Sequence, residues 1–209
     1  MFITFEGIEG SGKTLQIMRS QAHLRSLGIR CLVTREPGGT DFGIALRRVL
    51  LDPDGPRREP LSELMLYLAD RYQHLREVVE PALRQGLVVL CDRYHDATRA
   101  YQGAARGISQ GTIDSLAALL RIPEPDATVL LDMNPDDAIS RARSRNRSVA
   151  AEEGRFEAEN LAFHRRVREA YLDLAVRYAS RIRIVDASGA PDEVFARIVP
   201  LLESWIVRK

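Results

Sequence analysis

The sequence predicts an α/β protein in which helices cover both faces of a five-stranded parallel sheet. Two observations support this fold class. Short runs rich in Val, Ile and Leu alternate along the chain with longer helical patterns, as in strand–helix–strand units joined by right-handed crossovers. The short runs are apolar throughout rather than alternating, as expected of strands that are buried on both faces.

The strands are predicted at Phe2–Glu6, Arg30–Thr34, Leu87–Cys91, Thr128–Leu131 and Arg181–Val185. Helices are predicted at about 13–27, 41–51, 60–85, 110–120, 135–146, 157–179 and 191–206. Turn-forming residues separate the elements at 37–39, 52–56 and 103–107. Because no repeat or linker interrupts this order, residues 1–209 are expected to form a single domain.

Composition excludes several classes of protein. A chain of 209 residues that is 45% hydrophobic and 28% charged can form a sizeable core and is not disordered. Its 30 basic and 29 acidic residues give a net charge of +1, which argues against a nucleic-acid coat protein. No run is long enough to span a membrane, and the N-terminus lacks signal-peptide features. Cys31 and Cys91 lack metal-ligand spacing, so free thiols and a cytoplasmic location are expected.

The first predicted strand leads directly into the segment GIEGSGKT, which matches GxxxxGK[ST]. In such a loop the backbone N–H groups surround a phosphate, and the following helix adds its partial positive charge. Lys13, one of only two lysines among the 30 basic residues, can reach the β- and γ-phosphates, and the Thr14 hydroxyl can ligate Mg²⁺. The fold is therefore expected to be that of P-loop NTPases, with ATP bound by Gly7, Ile8, Glu9, Gly10, Ser11, Gly12, Lys13 and Thr14.

Two other segments end strands at the edge of the sheet where ligands of parallel sheets bind. The run LVVLC is followed by Asp92, expected to hold Mg²⁺, and by Arg93, expected to bind a phosphate or the transferring group. The segment TREPGGT places Arg35 beside two glycines, where an anion can bind. Arg47 either converges on this site or lies on a solvated helix face, and Glu9 faces a metal, a hydroxyl or solvent.

The motifs FEGIEGSGKT, TREPGGT, ELMLYLADRYQH, DRYHDATRAYQGAARG and GRFE followed by FHRRVREAYLDLA, in this order, resemble the thymidylate kinase family. The resemblance covers nearly the whole chain, and TREPGGT and DRY followed by AYQG are not general features of P-loop proteins. It implies direct, Mg²⁺-assisted transfer of a phosphoryl group from ATP to dTMP, giving dTDP. It also implies a homodimer.

The resemblance further implies how the acceptor is bound. Tyr67 takes the place of an aromatic residue, usually Phe, that stacks on thymine, and Tyr101 packs against the deoxyribose. From the residues alone, packing in the core is the alternative for both tyrosines, and it is favoured for Tyr67, which lies in LMLYLA on a helix with an apolar face. Arg71, Thr98 and Gln102 are implied to contact the base, and Arg35, Arg47 and Arg93 to contact the acceptor phosphate. Together with Glu9 of the phosphate loop, the expected acceptor set is Glu9, Arg35, Arg47, Tyr67, Arg71, Arg93, Thr98, Tyr101 and Gln102.

A run of arginines at 141, 143, 145 and 147 indicates either a solvated helix face or a clamp over the triphosphate. The resemblance favours the clamp, because the phosphate loop has no Arg at 9–11 and one class of the family supplies the arginine from a lid instead. The lid is expected at about 141–158. Arg145 and Arg147 are expected to act in catalysis with Lys13 and Arg93, with Arg155 in support.

Other functions are also compatible with these motifs. One is a kinase for dUMP or a modified pyrimidine nucleotide, and another is a P-loop module that binds nucleotide without catalysis. The complete set of Lys13, Thr14, Asp92 and Arg93 weighs against the module, which would not need it. Nucleic-acid binding through the arginine run is disfavoured, since the net charge is small and no aromatic residues interleave the run.

Overall fold

Five parallel strands form one sheet in the order β2-β3-β1-β4-β5. The strands are β1 (Phe2–Glu6), β2 (Cys31–Arg35), β3 (Val88–Asp92), β4 (Ala127–Asp132) and β5 (Ile182–Asp186). The predicted five-stranded parallel sheet is therefore confirmed. β2, β3 and β5 each begin and end one residue later than predicted, because a charged residue at the carboxyl end of each strand continues the ladder.

The computed structural model describes residues 1–148, 155–156 and 159–206, with the backbone alone for 143–148. Its helices are α1 (Lys13–Ser26), α2 (Asp41–Leu51), α3 (Pro60–His74), α4 (Glu80–Arg84), α5 (His95–Thr98), α6 (Gln110–Leu119), α7 (Pro135–Ser148), α8 (Leu161–Arg177) and α9 (Pro191–Ile206). Two π-helical segments, Leu75–Val79 and Arg99–Ala105, extend α3 and α5. Within the predicted lid, residues 149–154 and 157–158 lie outside the described residues.

The helix expected at 60–85 is confirmed over residues 60–84, although the first π-helical segment changes the hydrogen-bond pattern in its middle. Two other predicted boundaries are wrong. The loop expected at 103–107 begins inside the second π-helical segment. The helix expected from 157 begins instead at Leu161, because the side chain of Asn160 accepts a hydrogen bond from the Phe163 N–H at 2.9 Å and caps its first turn. In all three places, local hydrogen bonds determine the helix type or where the helix begins. Hydrophobic periodicity does not reveal these hydrogen bonds.

Both faces of the sheet are buried, as the apolar strands predict. Ile3 and Phe5 of β1 point into the main core, which includes the apolar faces of α1, α8 and α9. Phe2, on the opposite side of the same strand, packs with Val89 and Cys91 of β3 in a second cluster, together with residues of the segment 75–82. Since successive side chains of a strand point to opposite faces, this division shows helices covering the sheet on both sides.

The register of the strands brings the predicted site to one edge. Asp92, the last residue of β3, pairs with Arg35 of β2 on one side and with Phe5 of β1 on the other. The phosphate loop begins two residues after Phe5. The loop, Arg35 and Asp92 therefore lie side by side at the carboxyl edge of the three strands, where parallel sheets bind ligands.

Candidate active site

The phosphate loop joins β1 to α1 and has a backbone shape that requires glycine. Gly10 and Gly12 have φ values of 80° and 88°, in the left-handed region that other residues rarely adopt. A Cβ atom on Gly10 would lie 1.8 Å from the carbonyl oxygen of Ala138, so the loop packs directly against α7. The loop ends at the N-terminus of α1, an arrangement that favours phosphate binding.

Lys13 lies against this loop. Its ammonium donates to the carbonyl oxygens of Gly7 and Ile8, each at 3.0 Å, and an ammonium has a third N–H to donate. The side chain is buried. Burial and the neighbouring Arg93 lower the pKa of Lys13 to about 8, opposed by the carboxylates of Asp92, Glu9 and Glu6. The ammonium is thus placed beside the loop that predicts phosphate binding.

Thr14 and Asp92, the two residues predicted to hold Mg²⁺, are in contact. The Thr14 hydroxyl donates to Oδ2 of Asp92 at 2.9 Å. A hydroxyl and a carboxylate are oxygen ligands of the kind that Mg²⁺ prefers, and Mg²⁺ is usually held by one or two such groups together with substrate phosphates. Among the described residues, no group of three or more His, Cys, Asp or Glu side chains is placed to hold a metal by itself. The residues present therefore fit a metal that arrives with a nucleotide.

Arg93 follows Asp92 in a strained conformation. Its φ is 68°, a value uncommon for any residue with a Cβ atom. Its guanidinium donates to Oε1 of Glu9 at 2.6 Å and to the Tyr171 hydroxyl at 3.3 Å, and it lies 4.9 Å from the centre of the Tyr101 ring. Strained residues persist where their surroundings determine them fully, and such places are often functional.

Glu6 holds this strained turn in place through hydrogen bonds of its carboxylate. Its Oε1 accepts a hydrogen bond from the Tyr94 N–H and its Oε2 accepts one from the Tyr171 hydroxyl, both at 2.7 Å. Burial and the charge of Asp96 raise the pKa of this fully buried carboxyl to about 7, although Arg93 and the two hydrogen bonds act in the opposite direction. Sequence reasoning missed Glu6 and Tyr171. The one signal for Glu6 was an acid ending an apolar strand immediately before the loop.

Glu9 lies inside the site rather than in solvent. Both of its carboxylate oxygens lie 2.8 Å from the Tyr101 hydroxyl, which donates to them, and Oε2 lies 3.5 Å from Nδ1 of the buried His164. Burial by itself would raise the pKa of Glu9, but Arg93, His164 and Lys13 together hold it below its ordinary range. Of the alternatives left open for Glu9, the solvated loop charge is excluded by these contacts.

A second cluster surrounds Arg71 of α3, which is 2% exposed. Its Nε donates to Glu36 at 2.7 Å, its Nη1 to the Thr98 hydroxyl at 2.8 Å and its Nη2 to the Tyr94 carbonyl at 2.9 Å. Glu36 also lies 2.8 Å from Nδ1 of His74. The structure thus brings together Arg71 and Thr98, two residues predicted to contact the base, and fixes their orientation through Glu36, which sequence reasoning missed.

The remaining residues predicted to contact the base line the same region. Tyr67 is buried, and burial and the charge of Glu63 raise the pKa of its hydroxyl. The amide nitrogen of Gln102 donates to Glu63 at 2.9 Å. Arg155 also donates to Glu63 and to the carbonyl oxygen of Leu50, so this arginine lies beside residues that are predicted to contact the base. The side chains of Arg145 and Arg147 lie outside the described residues.

Arg35 is the last residue of β2, and Arg47 lies on α2, so the two arginines flank the loop that joins these elements. Nη1 of Arg47 donates to the carbonyl oxygen of Pro37 at 2.8 Å, so Arg47 converges on the TREPGGT segment rather than lying on a solvated face. Arg35 lines a cavity of about 300 Å³ that opens beside the predicted metal ligands. The cavity is lined by Thr14, Ile17, Met18, Val33, Thr34, Arg35, Gly38, Gly39 and Asp92.

Asp70 holds this loop at a cost in stability. Its Oδ1 accepts from the Gly38 N–H at 3.1 Å, while Oδ2 is buried with no hydrogen-bond partner in the described part of the chain. Burial and the nearby Glu36 raise its pKa from 3.8 to about 6. The folded protein therefore binds this proton more tightly than the unfolded chain, so the contribution of Asp70 to stability falls as the pH rises through 6.

We expect Asp70→Asn to stabilise the protein at pH 8, by up to about 3 kcal/mol, because it removes a buried charge and keeps the acceptor for Gly38. The gain should shrink toward zero as the pH falls toward 4, where the folded-state carboxyl is already neutral. Urea unfolding at both pH values measures this, with Asp54→Asn on an exposed loop as the control. An equal gain at both pH values would show that charge burial is not the cause.

The parallel sheet and the phosphate loop between β1 and α1 define a P-loop nucleotide-binding protein. The sequence matches the model of the thymidylate kinase family over residues 5–198. The chain therefore belongs to the thymidylate kinase family.

Individual relatives agree with this assignment. The chain is 54% identical to the thymidylate kinase of Syntrophotalea carbinolica over 94% of its own length and 92% of that protein. It is 51% identical to that of Trichlorobacter lovleyi, covering 95% and 94% of the two chains. The crystal structure of thymidylate kinase from Ehrlichia chaffeensis superposes with a TM-score of 0.77 at 32% identity, covering 97% of this chain and 98% of that one. The predicted P-loop fold and the prediction of a kinase of this family are confirmed, and no comparison supports the alternatives.

Proposed function

We propose that this enzyme transfers the γ-phosphoryl group of ATP to the phosphate of dTMP, giving dTDP. The observation that carries the proposal is the convergence at one sheet edge of the phosphate loop, the Thr14–Asp92 pair and the Arg93–Glu9–Tyr101 cluster. The first two suit a nucleoside triphosphate with its metal. The third offers a cation for an acceptor phosphate and a carboxylate for a sugar hydroxyl.

The phosphate loop and its neighbours would bind ATP, the phosphoryl donor. Lys13 places its ammonium beside the loop carbonyls, from which its third N–H can reach a β- or γ-phosphate oxygen. Thr14 and Asp92 would hold Mg²⁺, which when bound neutralises charge on the phosphates. Arg145 and Arg147 would add positive charge from the lid, as the resemblance implies.

The acceptor half needs no nucleophilic side chain, because a nucleotide phosphate oxygen is already anionic at neutral pH. The protein then contributes orientation and charge neutralisation. Arg93, Arg35 and Arg47 would bind the acceptor phosphate, and Tyr101 would pack against its sugar. When a phosphate takes Arg93, Glu9 is left with the Tyr101 hydroxyl and can accept from the sugar. Tyr67, Arg71, Thr98 and Gln102 would bind the base.

A panel of nucleoside monophosphates tests this proposal. We expect dTMP to give the highest kcat/KM with ATP and Mg²⁺, and dUMP a lower value because it lacks the methyl group. Tyr67→Phe should keep this order, since the ring face that stacks on the base is unchanged. A higher kcat/KM for another monophosphate would reassign the acceptor, and no transfer to any of them would favour a binding module.

We also propose that the enzyme is a homodimer, as the resemblance implies. Two packed helices, α2 and α3, each expose an apolar stripe at helical spacing. On α3 the stripe includes Leu61 and Met65, 54% and 50% exposed, and on α2 it includes Phe42 and Val49, 48% and 50% exposed. Adjacent exposed apolar stripes of this kind suit a self-complementary contact with a second copy.

Met65→Glu should convert the dimer to a monomer, because it places a charge in the middle of the proposed contact. Sedimentation equilibrium measures the change in mass. Val176→Glu is the matched control, since Val176 is 80% exposed on α8, outside both stripes. A wild-type protein that sediments as a monomer would refute the proposed dimer.

The location proposed for the enzyme is the cytoplasm. Cys31 and Cys91 are buried free thiols, as expected in a reducing compartment. Within the described ranges, no helix is both long and apolar enough to cross a membrane.

A further inference from the structure

Glu63 lies under the predicted base pocket and has no role among the predicted site residues. It is 1% exposed and stands one helical turn before Tyr67 on α3. Its Oε1 accepts the hydrogen bond from the amide nitrogen of Gln102 at 2.9 Å. Its Oε2 is paired with the guanidinium of Arg155, and its Oε1 lies 3.6 Å from Nε of Arg106.

This contact fixes which way the Gln102 amide points. A primary amide can present either its NH₂ group or its oxygen to a neighbour, but an ionised carboxylate can only accept. Glu63 also forms ion pairs with Arg155 and Arg106. The NH₂ group of Gln102 must therefore face Glu63, and the amide oxygen is left as the group that can face a bound base.

Arg71 supplies a hydrogen-bond donor to complement the Gln102 acceptor. A guanidinium has five N–H donors and no acceptor, and four of the five are matched by Glu36, Thr98, His95 and the Tyr94 carbonyl. Arg71 thus keeps one donor for the base, and Gln102 offers it an acceptor. Thymine and uracil present the complementary O4 acceptor and N3–H donor. Cytosine presents the opposite arrangement at both positions.

We infer that Glu63 sets the base specificity of the acceptor site by holding the Gln102 amide oxygen toward the base. This inference rests on the proposed function, in which Gln102 and Arg71 contact the base. Glu63 acts through Gln102 and is a positioning residue. Its effect is to require an N–H donor on the acceptor base, so that a thymine or uracil nucleotide is accepted and a cytosine nucleotide is rejected.

Glu63→Gln tests the inference with the smallest change of shape. A glutamine can donate or accept, so the Gln102 amide is free to turn over. We expect the ratio of kcat/KM for dTMP to that for dCMP to fall at least about tenfold, with the KM for ATP unchanged. The ratio should fall rather than invert, because Arg71 still disfavours cytosine. Comparing two acceptors with the same sugar and phosphate cancels general effects on the lid or on stability.

Two further variants make the result decisive. Glu59→Gln makes the same chemical change at an exposed position on the preceding turn and should leave the ratio unchanged. Glu63→Asp keeps an acceptor-only group and should retain the preference, even if KM rises. An unchanged ratio in Glu63→Gln would overturn the inference, as would an equal loss of the ratio in Glu63→Asp.

Failure of this inference can be distinguished from failure of the proposed function. If Glu63→Gln does not fold, a lost preference in Glu63→Asp still overturns the inference, and a retained one supports it. If the wild-type enzyme phosphorylates dTMP but the ratio is insensitive to residue 63, only the role of Glu63 is wrong. If the wild-type enzyme does not phosphorylate dTMP at all, the proposed function itself is wrong.

Discussion

Lys13→Met should lower kcat for phosphoryl transfer by at least about a thousandfold while the protein stays folded. The ammonium is the cation that the structure places against the phosphate loop, 3.0 Å from two of its carbonyl oxygens. A methionine of similar length fills the space but cannot donate to the β- or γ-phosphate. Formation of dTDP measures kcat, and circular dichroism measures the unfolding temperature.

The sequence supplies a matched control for this variant. Lys209 is the only other lysine, so Lys209→Met makes the same chemical change at the end of the chain. It should leave kcat unchanged. Near wild-type turnover in Lys13→Met would show that the lysine of the phosphate loop is not needed for phosphoryl transfer.

Arg93→Met should have a second large effect, on both activity and stability. Removing the guanidinium leaves Glu9 as a largely buried carboxylate without its main partner, which should cost about 3 kcal/mol of folding free energy. The acceptor phosphate also loses its cation, so kcat/KM for dTMP should fall by at least about a thousandfold. Urea unfolding and steady-state kinetics measure the two effects separately.

A double variant separates the structural role of Arg93 from the chemical one. In Glu9→Gln/Arg93→Met no charge is left unpaired at this pair, so most of the lost stability should return. Activity should not return, because the acceptor phosphate still has no cation at this position. If the double variant recovered both, Arg93 would act only by supporting the fold.

The phosphate loop and the strand ends could be predicted because their signals are local. Glycines at fixed spacing, one internal lysine, and an acid and a base directly after an apolar strand each identify a position without reference to the rest of the chain. The sheet register then brings Arg35 and Asp92 together, as the rule for parallel strands implies. These features required only sequence spacing and the order of the elements.

The acids behind the site could not be predicted in the same way. Glu36 acts on Arg71, 35 residues away, and Glu63 acts on Gln102, 39 residues away. From the sequence, each acid lies in a predicted loop or helix face. Its partner can be identified only in the tertiary structure, which buries both residues together. Periodicity describes one element at a time, whereas the requirement that buried polar groups find partners acts between elements.

Following a labelled γ-phosphate tests whether the enzyme transfers the phosphoryl group directly from ATP to dTMP. With γ-labelled ATP, Mg²⁺ and dTMP, we expect the label in dTDP, with one dTDP formed for each ATP consumed. Without dTMP, little label should appear as inorganic phosphate. Label released as phosphate whether or not dTMP is present would contradict the claim, and so would ATP that is bound but never consumed.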